Sequence, residues 1–203
     1  GPPLTVPQPM DTTIYAARWI NHCGQSDSTI IQVNVVPLPE VIVIASDTLC
    51  GGQPYEISNV FVNHLDSLRW TSTSSSGVFD TATIQYPIYT DLNINFYDTI
   101  RQYLILTAFG KADCEDAVDS ILLVYLPIPS LSIDPVLPSI CRDSSIIVTA
   151  TGAEDYFWQS ITSDEETKFG NPANFSPEEN TNYYLVGISS RGCVDSLFMS
   201  VDV

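Results

Sequence analysis

Short runs of alternating apolar and polar residues follow one another along the whole chain, and one such pattern occurs three times. Each copy has a tyrosine near its start, a cysteine in a polar turn, an Asp-Ser pair and a closing apolar alternation. The copies are residues 12–36 (TTIYAARWINHCGQSDSTIIQVNVV), 102–126 (QYLILTAFGKADCEDAVDSILLVYL) and 181–203 (TNYYLVGISSRGCVDSLFMSVDV). Alternation of period two predicts a β-hairpin in each copy. The repetition predicts a repeated structural unit.

The rest of the pattern predicts an all-β chain with two complete units. No stretch keeps the apolar spacing of a helix without an interruption by Pro, Gly or a β-branched residue. Two Pro-X-Pro segments, residues 37–39 and 127–129, predict short extended linkers. Residues 37–128 (the first unit) and 129–203 (the second unit) each carry a tryptophan on a third predicted strand. Residues 1–36 (the leading segment) match only the closing hairpin, so we interpret them as the C-terminal part of a truncated repeat.

The charge balance excludes several classes of partner. The chain of 203 residues has 24 acidic and 7 basic side chains, a net charge of −17. Nucleic acid requires a basic surface, and anionic lipid requires a polybasic patch. No apolar run reaches the roughly 18 residues of a membrane span. We therefore expect no nucleic acid partner and no membrane span.

Residue patterns of catalysis and metal binding are absent or isolated. There is no GxSxG elbow and no Gly-rich phosphate loop. His22 stands beside Cys23 but has no second ligand pair at zinc spacing. The acidic clusters at residues 113–116 and 164–166 could bind calcium, but neither has DxDxDG-type spacing, and a solvated acidic turn is the better interpretation. We expect no enzyme activity and no cofactor, with calcium as the one alternative.

The tryptophan, tyrosine and cysteine framework of the two units resembles a known family. The segments that carry the likeness are RWTSTSSSGVFD, YPIYTD and YLILTAFGKADCEDAVDSILLVYLPIP in the first unit, and SICRDSSIIVTATGAEDYFWQS and FSPEENTNYYLVGISSRGCVDS in the second. They resemble the Ig-like and PKD-like tandem repeats of large surface adhesins of Bacteroidota that the type IX system exports. The resemblance implies tandem immunoglobulin-like antiparallel β-sandwiches. Residues 72–98 depart from it, because this segment is longer than its counterpart in the second unit.

The resemblance also implies which large side chains fill the cores. Trp70 and Trp158 would supply the largest buried volumes between two thin sheets. A tyrosine near the start of the sixth strand would either fill the core or anchor the preceding corner through its hydroxyl. This residue is Tyr103 in the first unit and Tyr184, or its neighbour Tyr183, in the second. We expect Trp70, Trp158, Tyr103 and Tyr184 to be core residues.

The five cysteines have two pairing schemes in an exported protein. The first scheme pairs cysteines within each unit, Cys50 with Cys114 and Cys141 with Cys193. In an antiparallel sandwich these partners lie at opposite ends, about 20 Å apart for a strand of about six residues, whereas disulfide Cα atoms lie about 4.4–6.8 Å apart. The topology therefore favours a bond between Cys50 and Cys193 across the junction of the units. Cys23, Cys114 and Cys141 would then pair with repeats outside this sequence.

Aspartate followed directly by Ser or Thr is frequent in this chain. Nine of the 16 aspartates have this neighbour, and Asx- and ST-turn hydrogen bonds suit such a pair to the turn before a strand. Eight pairs continue with Ala, Ile, Leu or Thr, a triplet that resembles the O-glycosylation acceptor of exported Bacteroidota proteins. The two interpretations are compatible, because a glycan requires an exposed acceptor. The candidate acceptors are Thr12, Ser28, Thr48, Ser67, Thr81, Thr99, Ser120 and Ser196.

Two classes of function are compatible with these features. The first is a non-catalytic stalk or adhesion segment of a secreted filament, of the gliding-motility or attachment type, whose partners are neighbouring repeats and an extracellular surface or glycan. The second is an accessory carbohydrate-binding or spacer domain of a secreted enzyme, which requires a row of exposed aromatic side chains. The candidates Tyr86, Tyr89, Phe96 and Tyr97 have irregular spacing, which favours packing. The sequence favours the stalk, at the extracellular cell surface.

Overall fold

The computed structural model describes residues 5–93, 95–161 and 167–203, and every regular element in them is a β-strand. The leading segment forms one antiparallel hairpin, in which β1 pairs with β4 and Tyr15 lies opposite Ile31. A smaller ladder, β2 with β3, lies within its loop. The strands of the leading segment are β1 (Thr13–Ala17), β2 (Ile20–Asn21), β3 (Gly24–Gln25) and β4 (Thr29–Val33).

The first unit places two layers of strands around one core. One sheet has the strand order β6-β13-β12-β9, and the other layer is formed by β10-β11-β7 together with the pair β5-β8. The long central strand β12 alternates strictly, so that Leu104, Leu106 and Ala108 face inward. The strands are β5 (Glu40–Ile42), β6 (Ser46–Cys50), β7 (Tyr55–Glu56), β8 (Phe61–Asn63), β9 (Leu65–Ser72), β10 (Gly77–Phe79), β11 (Ile88–Asp91), β12 (Ile100–Gly110) and β13 (Ala117–Leu126).

The second unit repeats this arrangement with fewer residues. One sheet has the order β17-β16-β19-β20 and the other has β14-β15-β18. Both units are thus all-β, immunoglobulin-like sandwiches, as the sequence predicts. The strands are β14 (Ser132–Asp134), β15 (Ile146–Thr151), β16 (Asp155–Ser160), β17 (Lys168–Phe169), β18 (Ala173–Phe175), β19 (Thr181–Ile188) and β20 (Val194–Val201).

Each unit has its own hydrophobic core, centred on the predicted tryptophan. Trp70 is 1% exposed and Trp158 is fully buried, so both predictions are confirmed. In the first unit Trp70 lies beside Phe79, whose ring contacts Tyr89. In the second unit Trp158, Phe175 and Tyr183 form a chain of edge contacts, with ring centroids 5.2 and 4.7 Å apart. Edge-to-face packing of this kind stabilises a core beyond the area that it buries.

Two of the predicted core tyrosines are in fact on the surface. Tyr103 is 48% exposed and Tyr184 is 46% exposed. On β12 the inward positions belong to Gln102 and Leu104, so Tyr103 between them faces outward. On β19 the inward tyrosine is Tyr183, which is 1% exposed. The prediction was wrong because a shift of one residue along a strand moves a side chain to the opposite face of the sheet.

One strand pairing differs from the predicted antiparallel pattern. Strand β6 runs parallel to β13, with Ser46 opposite Leu122 and Cys50 opposite Leu126. The second unit has a shorter version, a parallel bridge between Ser139 and Asp202. Cys50 ends a strand that runs along the edge of the first unit's closing hairpin, and a turn at Gly51-Gly52 follows it. This parallel strand determines where the first unit meets the second.

Candidate functional site: a disulfide-linked joint

The joint begins where two segments leave the first unit side by side. Cys50 is the last residue of β6, and Leu126 is the last residue of β13. The Gly51 N–H donates to the carbonyl oxygen of Leu126 at 2.8 Å, which extends the parallel pairing by one residue. Two strands of the first unit therefore end together at the face that meets the second unit.

On the opposite side of the joint, Cys193 lies in the turn between β19 and β20 and is completely buried. Its carbonyl oxygen accepts from the Ser189 N–H at 2.8 Å, and its own N–H donates to the Ser189 hydroxyl at 3.1 Å. Gly192 precedes it with a φ of 82°, a conformation that glycine adopts without a steric penalty. The turn thus holds the Cys193 backbone in place toward the first unit.

Cys50 and Cys193 form a disulfide, with their Cα atoms 5.5 Å apart and a sequence separation of 143. The predicted bond between the units is confirmed, and the alternative pairing of Cys50 with Cys114 is wrong. Cys114 lies in the turn before β13, whereas Cys50 lies opposite the last residue of β13. Ten residues of extended strand span about 33 Å, far beyond the reach of a disulfide.

The linker itself is packed on both sides of the joint. The Ile128 N–H donates to the carbonyl oxygen of Phe96 at 2.9 Å, although Phe96 belongs to the long middle segment of the first unit. The Phe96 ring lies on Gly52, where an added Cβ would stand 2.0 Å from ring carbon Cε1. Pro129 is buried, and Leu131 packs against the core of the second unit. The linker is therefore held by contacts as well as by the disulfide.

The other cysteines occupy the corresponding places at the outer ends of the two units. Cys114 lies in the turn between β12 and β13, as Cys193 does between β19 and β20, and is a half-buried free thiol. Cys141 follows the parallel bridge at Ser139, as Cys50 completes β6, and is exposed. Cys23, in the leading hairpin, is also exposed and free. These placements agree with the expected positions, while their pairing with other repeats stays a prediction.

The Asp-Ser and Asp-Thr pairs share a local geometry. In four of them the aspartate Oδ1 accepts from the N–H of the next residue at 2.6–2.8 Å: Asp47, Asp80, Asp119 and Asp195. Three of the four lie inside strands β6, β13 and β20, so the predicted placement before a strand is wrong for them. Seven of the eight candidate acceptor residues are exposed, and Ser120 is half-buried. Glycosylation of these residues stays a prediction.

The described residues hold no group of three or more His, Cys, Asp or Glu side chains that could bind a metal ion. The acidic turn at residues 113–116 is solvated, with Asp116 Oδ1 accepting from the Gly110 N–H at 2.9 Å. The second acidic cluster, residues 164–166, lies outside the described residues. His22 is exposed. No helix in the part of the chain that the structure describes has the length and apolar character needed to cross a membrane.

A second surface was missed by the sequence interpretation. The outer face of the β17-β16-β19-β20 sheet carries the cross-strand pairs Tyr184–Phe198 and Phe157–Phe169, with ring centroids 6.0 and 6.4 Å apart. Phe198 is 53% exposed and Phe169 is 80% exposed. Of the four aromatic residues that the sequence assigned to packing, Tyr89 is fully buried, whereas Tyr86, Phe96 and Tyr97 are 54%, 45% and 60% exposed. The signal in the sequence was the doubling of aromatic residues at Tyr183-Tyr184 and Tyr156-Phe157-Trp158, where inward and outward positions both carry rings.

The chain has distant structural similarity to tandem β-sandwich proteins. No protein-family model and no curated protein matches it. The 3Ig structure of titin domains is 15% identical, with a TM-score of 0.42, over 94% of this chain and 74% of that one. Human CDH23 EC21-23 is 9% identical, with a TM-score of 0.42, over 93% and 73%. The fibronectin(III)-like modules of Clostridium thermocellum CbhA are 10% identical, with a TM-score of 0.35, over 81% and 94%.

Proposed function

We propose that this chain is a segment of the stalk of a secreted surface adhesin, built from tandem immunoglobulin-like repeats and without a catalytic role. The observation that carries the proposal is the joint, where a disulfide links two sandwiches, a backbone hydrogen bond holds the linker on the first of them, and the linker residue Pro129 is buried. A joint held at several points favours a fixed geometry between units, which a stalk requires and a flexible tether does not. A disulfide also favours an oxidising, extracellular location.

The resemblance to type IX-exported adhesin repeats of Bacteroidota supports the same proposal. The net charge of −17 favours solubility and repulsion between neighbouring filaments. Seven exposed candidate acceptors for O-glycans lie on the surfaces of all three segments. In this proposal the chain carries glycans at several of them. A gliding-motility or attachment adhesin is the type of protein that best combines these features.

The array in this proposal continues through the remaining cysteines. Cys114 takes the position of Cys193, and Cys141 takes the position of Cys50, each at an outer end of a unit. We propose that residues 1–36 are the closing hairpin of a further repeat, followed by the units at 37–128 and 129–203. Cys23 and Cys114 would bond to units on one side, and Cys141 to a unit on the other. Neighbouring repeats of the same polypeptide are thus the main partners.

Antibody labelling of intact cells of the source organism tests the proposed function. Antibodies raised against the 203-residue chain should label unpermeabilised cells, and brief treatment with an external protease should remove the signal. A cytoplasmic marker that stays protected is the control for intact envelopes. Labelling that requires permeabilised cells would reject the surface stalk.

The exposed aromatic face of the second unit favours carbohydrate binding as a second candidate function. Aromatic rings on an open sheet can stack on sugar rings, as they do on other ring-shaped ligands. A glycan array probed with the whole chain, followed by calorimetry, tests it. Binding should be lost in the double variant Tyr184→Ala, Phe198→Ala and kept in Tyr103→Ala, which removes an equally exposed tyrosine from the first unit. An array without any signal would reject this candidate.

A further inference from the structure

We propose that tension along this chain runs through one edge of each unit, along β5, β6 and β20, and that the central strands and both tryptophans lie outside the load path. The inference rests on the proposed stalk function, because a stalk is pulled along its length. It follows from where the disulfide joins the two units, and from the parallel pairing of β6 with β13.

The disulfide provides a covalent path much shorter than the polypeptide. A force that enters through the leading segment passes β5 and β6 to Cys50, crosses to Cys193, and leaves along β20. Residues 51–192 form a closed loop beside this path. The loop contains β7 to β19, and with them Trp70, Trp158 and most of both cores.

The parallel pairing determines what the disulfide protects in the first unit. Without the bond, tension would pull β6 at its start and β13 at its end, in opposite directions. The ladder between Ser46–Leu122 and Cys50–Leu126 would then be sheared. With the bond, β6 is held covalently at both ends, and it ends beside β13 at the same neighbouring unit. The ladder hydrogen bonds therefore carry little of the load.

The second unit receives the load on a single strand. Cys193 immediately precedes β20, and β20 continues to Val201 and the end of the sequence. The parallel bridge between Ser139 and Asp202 lies at the far end of β20, and Cys141 follows Ser139 by two residues. A bond from Cys141 to a following unit would repeat the arrangement at Cys50. A bond to Cys114 would likewise place β13 on a second covalent path through the first unit.

Single-molecule force spectroscopy of the 203-residue chain, held by its two ends, tests the load path. At about 3.5 Å per residue the unlinked chain extends to about 700 Å, whereas residues 1–50 and 193–203 alone extend to about 200 Å. The oxidised protein should therefore reach a contour length about threefold shorter than the double variant Cys50→Ser, Cys193→Ser. Cys141→Ser, which removes an exposed free thiol, is the matched control and should behave as the unaltered chain. A step of about 500 Å in the oxidised protein would overturn the proposal.

A core substitution distinguishes a shielded core from a short contour alone. Trp70→Ala should lower the unfolding force more in the double serine variant than in the oxidised chain, because β9 lies in the closed loop and only a few residues of the load path, such as Val43, pack on that core. Tyr89→Phe, which removes one hydroxyl contact with Ser72, serves if Trp70→Ala fails to fold. An equal change in both backgrounds would overturn the load path. If the force traces are as expected but antibodies locate the protein inside cells, the proposed stalk function is rejected and the load path stands.

Discussion

The leading hairpin and the closing hairpin of the second unit have the same sequence pattern and opposite environments. In the leading hairpin, Ile14, Ile30 and Ile31 are each more than 60% exposed. In the closing hairpin of the second unit, Tyr183, Leu185 and Met199 are buried. Both hairpins form a continuous antiparallel ladder. The difference teaches that the pattern is sufficient for the ladder, whereas burial requires a second sheet, here the one that carries Val148 and Phe175.

The largest expected effect concerns two tryptophans, one in the leading hairpin and one on β16, the strand that pairs with the closing hairpin of the second unit. Trp158→Ala should lower the free energy of unfolding by about 3–5 kcal/mol, because the ring fills the core of the second unit. Trp19→Ala in the leading hairpin is the matched control and should change it by less than about 0.5 kcal/mol, because Trp19 is 79% exposed. Urea denaturation followed by circular dichroism measures both. Equal effects would contradict the difference in burial between the second unit and the leading hairpin.

Two adjacent tyrosines of β19 should differ almost as strongly. Tyr183→Ala should cost about 3 kcal/mol or more, because the side chain faces the core and contacts Phe175. Tyr184→Ala should cost less than about 1 kcal/mol, since it loses only a surface contact with Phe198. Thermal and urea unfolding of the two variants compare them directly. A greater loss for Tyr184→Ala would reverse the assignment of faces on this strand.

Alkaline pH should lower the stability of the first unit, whose core contains buried tyrosines, more than that of an exposed hairpin. Burial raises the pKa of Tyr125, Tyr55 and Tyr89, and in Tyr55 the nearby Asp47 adds to the effect. These tyrosines are neutral in the folded state, so their contribution to stability is complete below the unfolded pKa of about 10 and is lost as pH rises above it. Urea midpoints at pH 8, 10 and 11 should fall with pH.

Tyr125→Phe, which keeps the ring and removes the ionisable group, should make that fall shallower. Tyr103→Phe, on the exposed face of β12, is the matched control and should leave the fall unchanged. If the midpoints of the unaltered chain were constant up to pH 11, burial of these hydroxyls would not be a determinant of its stability.

Glycosylation should have the smallest effect on stability. The acceptors in the three hairpins differ in exposure, which predicts the order in which they are modified. Ser28 and Ser196 are exposed, whereas Ser120 is half-buried beside Asp119, whose Oδ2 accepts from the Val43 N–H at 2.9 Å. Peptide mass spectrometry of the native protein should find more glycan at Ser28 and Ser196 than at Ser120. Enzymatic or chemical removal should shift the melting temperature little, since surface glycans contribute little to the fold. If all eight acceptors were unmodified, the glycosylation interpretation would be rejected and only the hydrogen-bonding role of the aspartates would remain.

Much of the fold follows from local chemistry and was predictable. Period-two alternation identifies the hairpins, and their repetition identifies the units. Trp70 and Trp158 identify the two cores, although Trp70 lies on β9, the fifth strand of the first unit and not the third as predicted. The end-to-end distance of a strand identifies the disulfide between Cys50 and Cys193. These features depend on spacing along the chain, which folding does not change.

The faces of the strands and the edges of the sheets were decided by tertiary structure. Tyr103 and Tyr184 each lie next to a core residue in sequence, and the local pattern does not say which of the two side chains faces inward. Only the opposite sheet determines which side of the strand is inward. The surroundings of the Asp-Ser pairs are likewise not predictable from the pairs themselves. Asp119 lies opposite Leu106, which in turn pairs with Trp70. Asp195 lies opposite Gly187.

The parallel strand β6 had no signature in the sequence, because its pairing with β13 joins residues more than 70 positions apart. By itself the sequence determined the hairpins, the cores and the covalent link between units. The tertiary structure decided which side chains face the solvent and which strands meet at the joint, because both depend on contacts between segments that are distant along the chain.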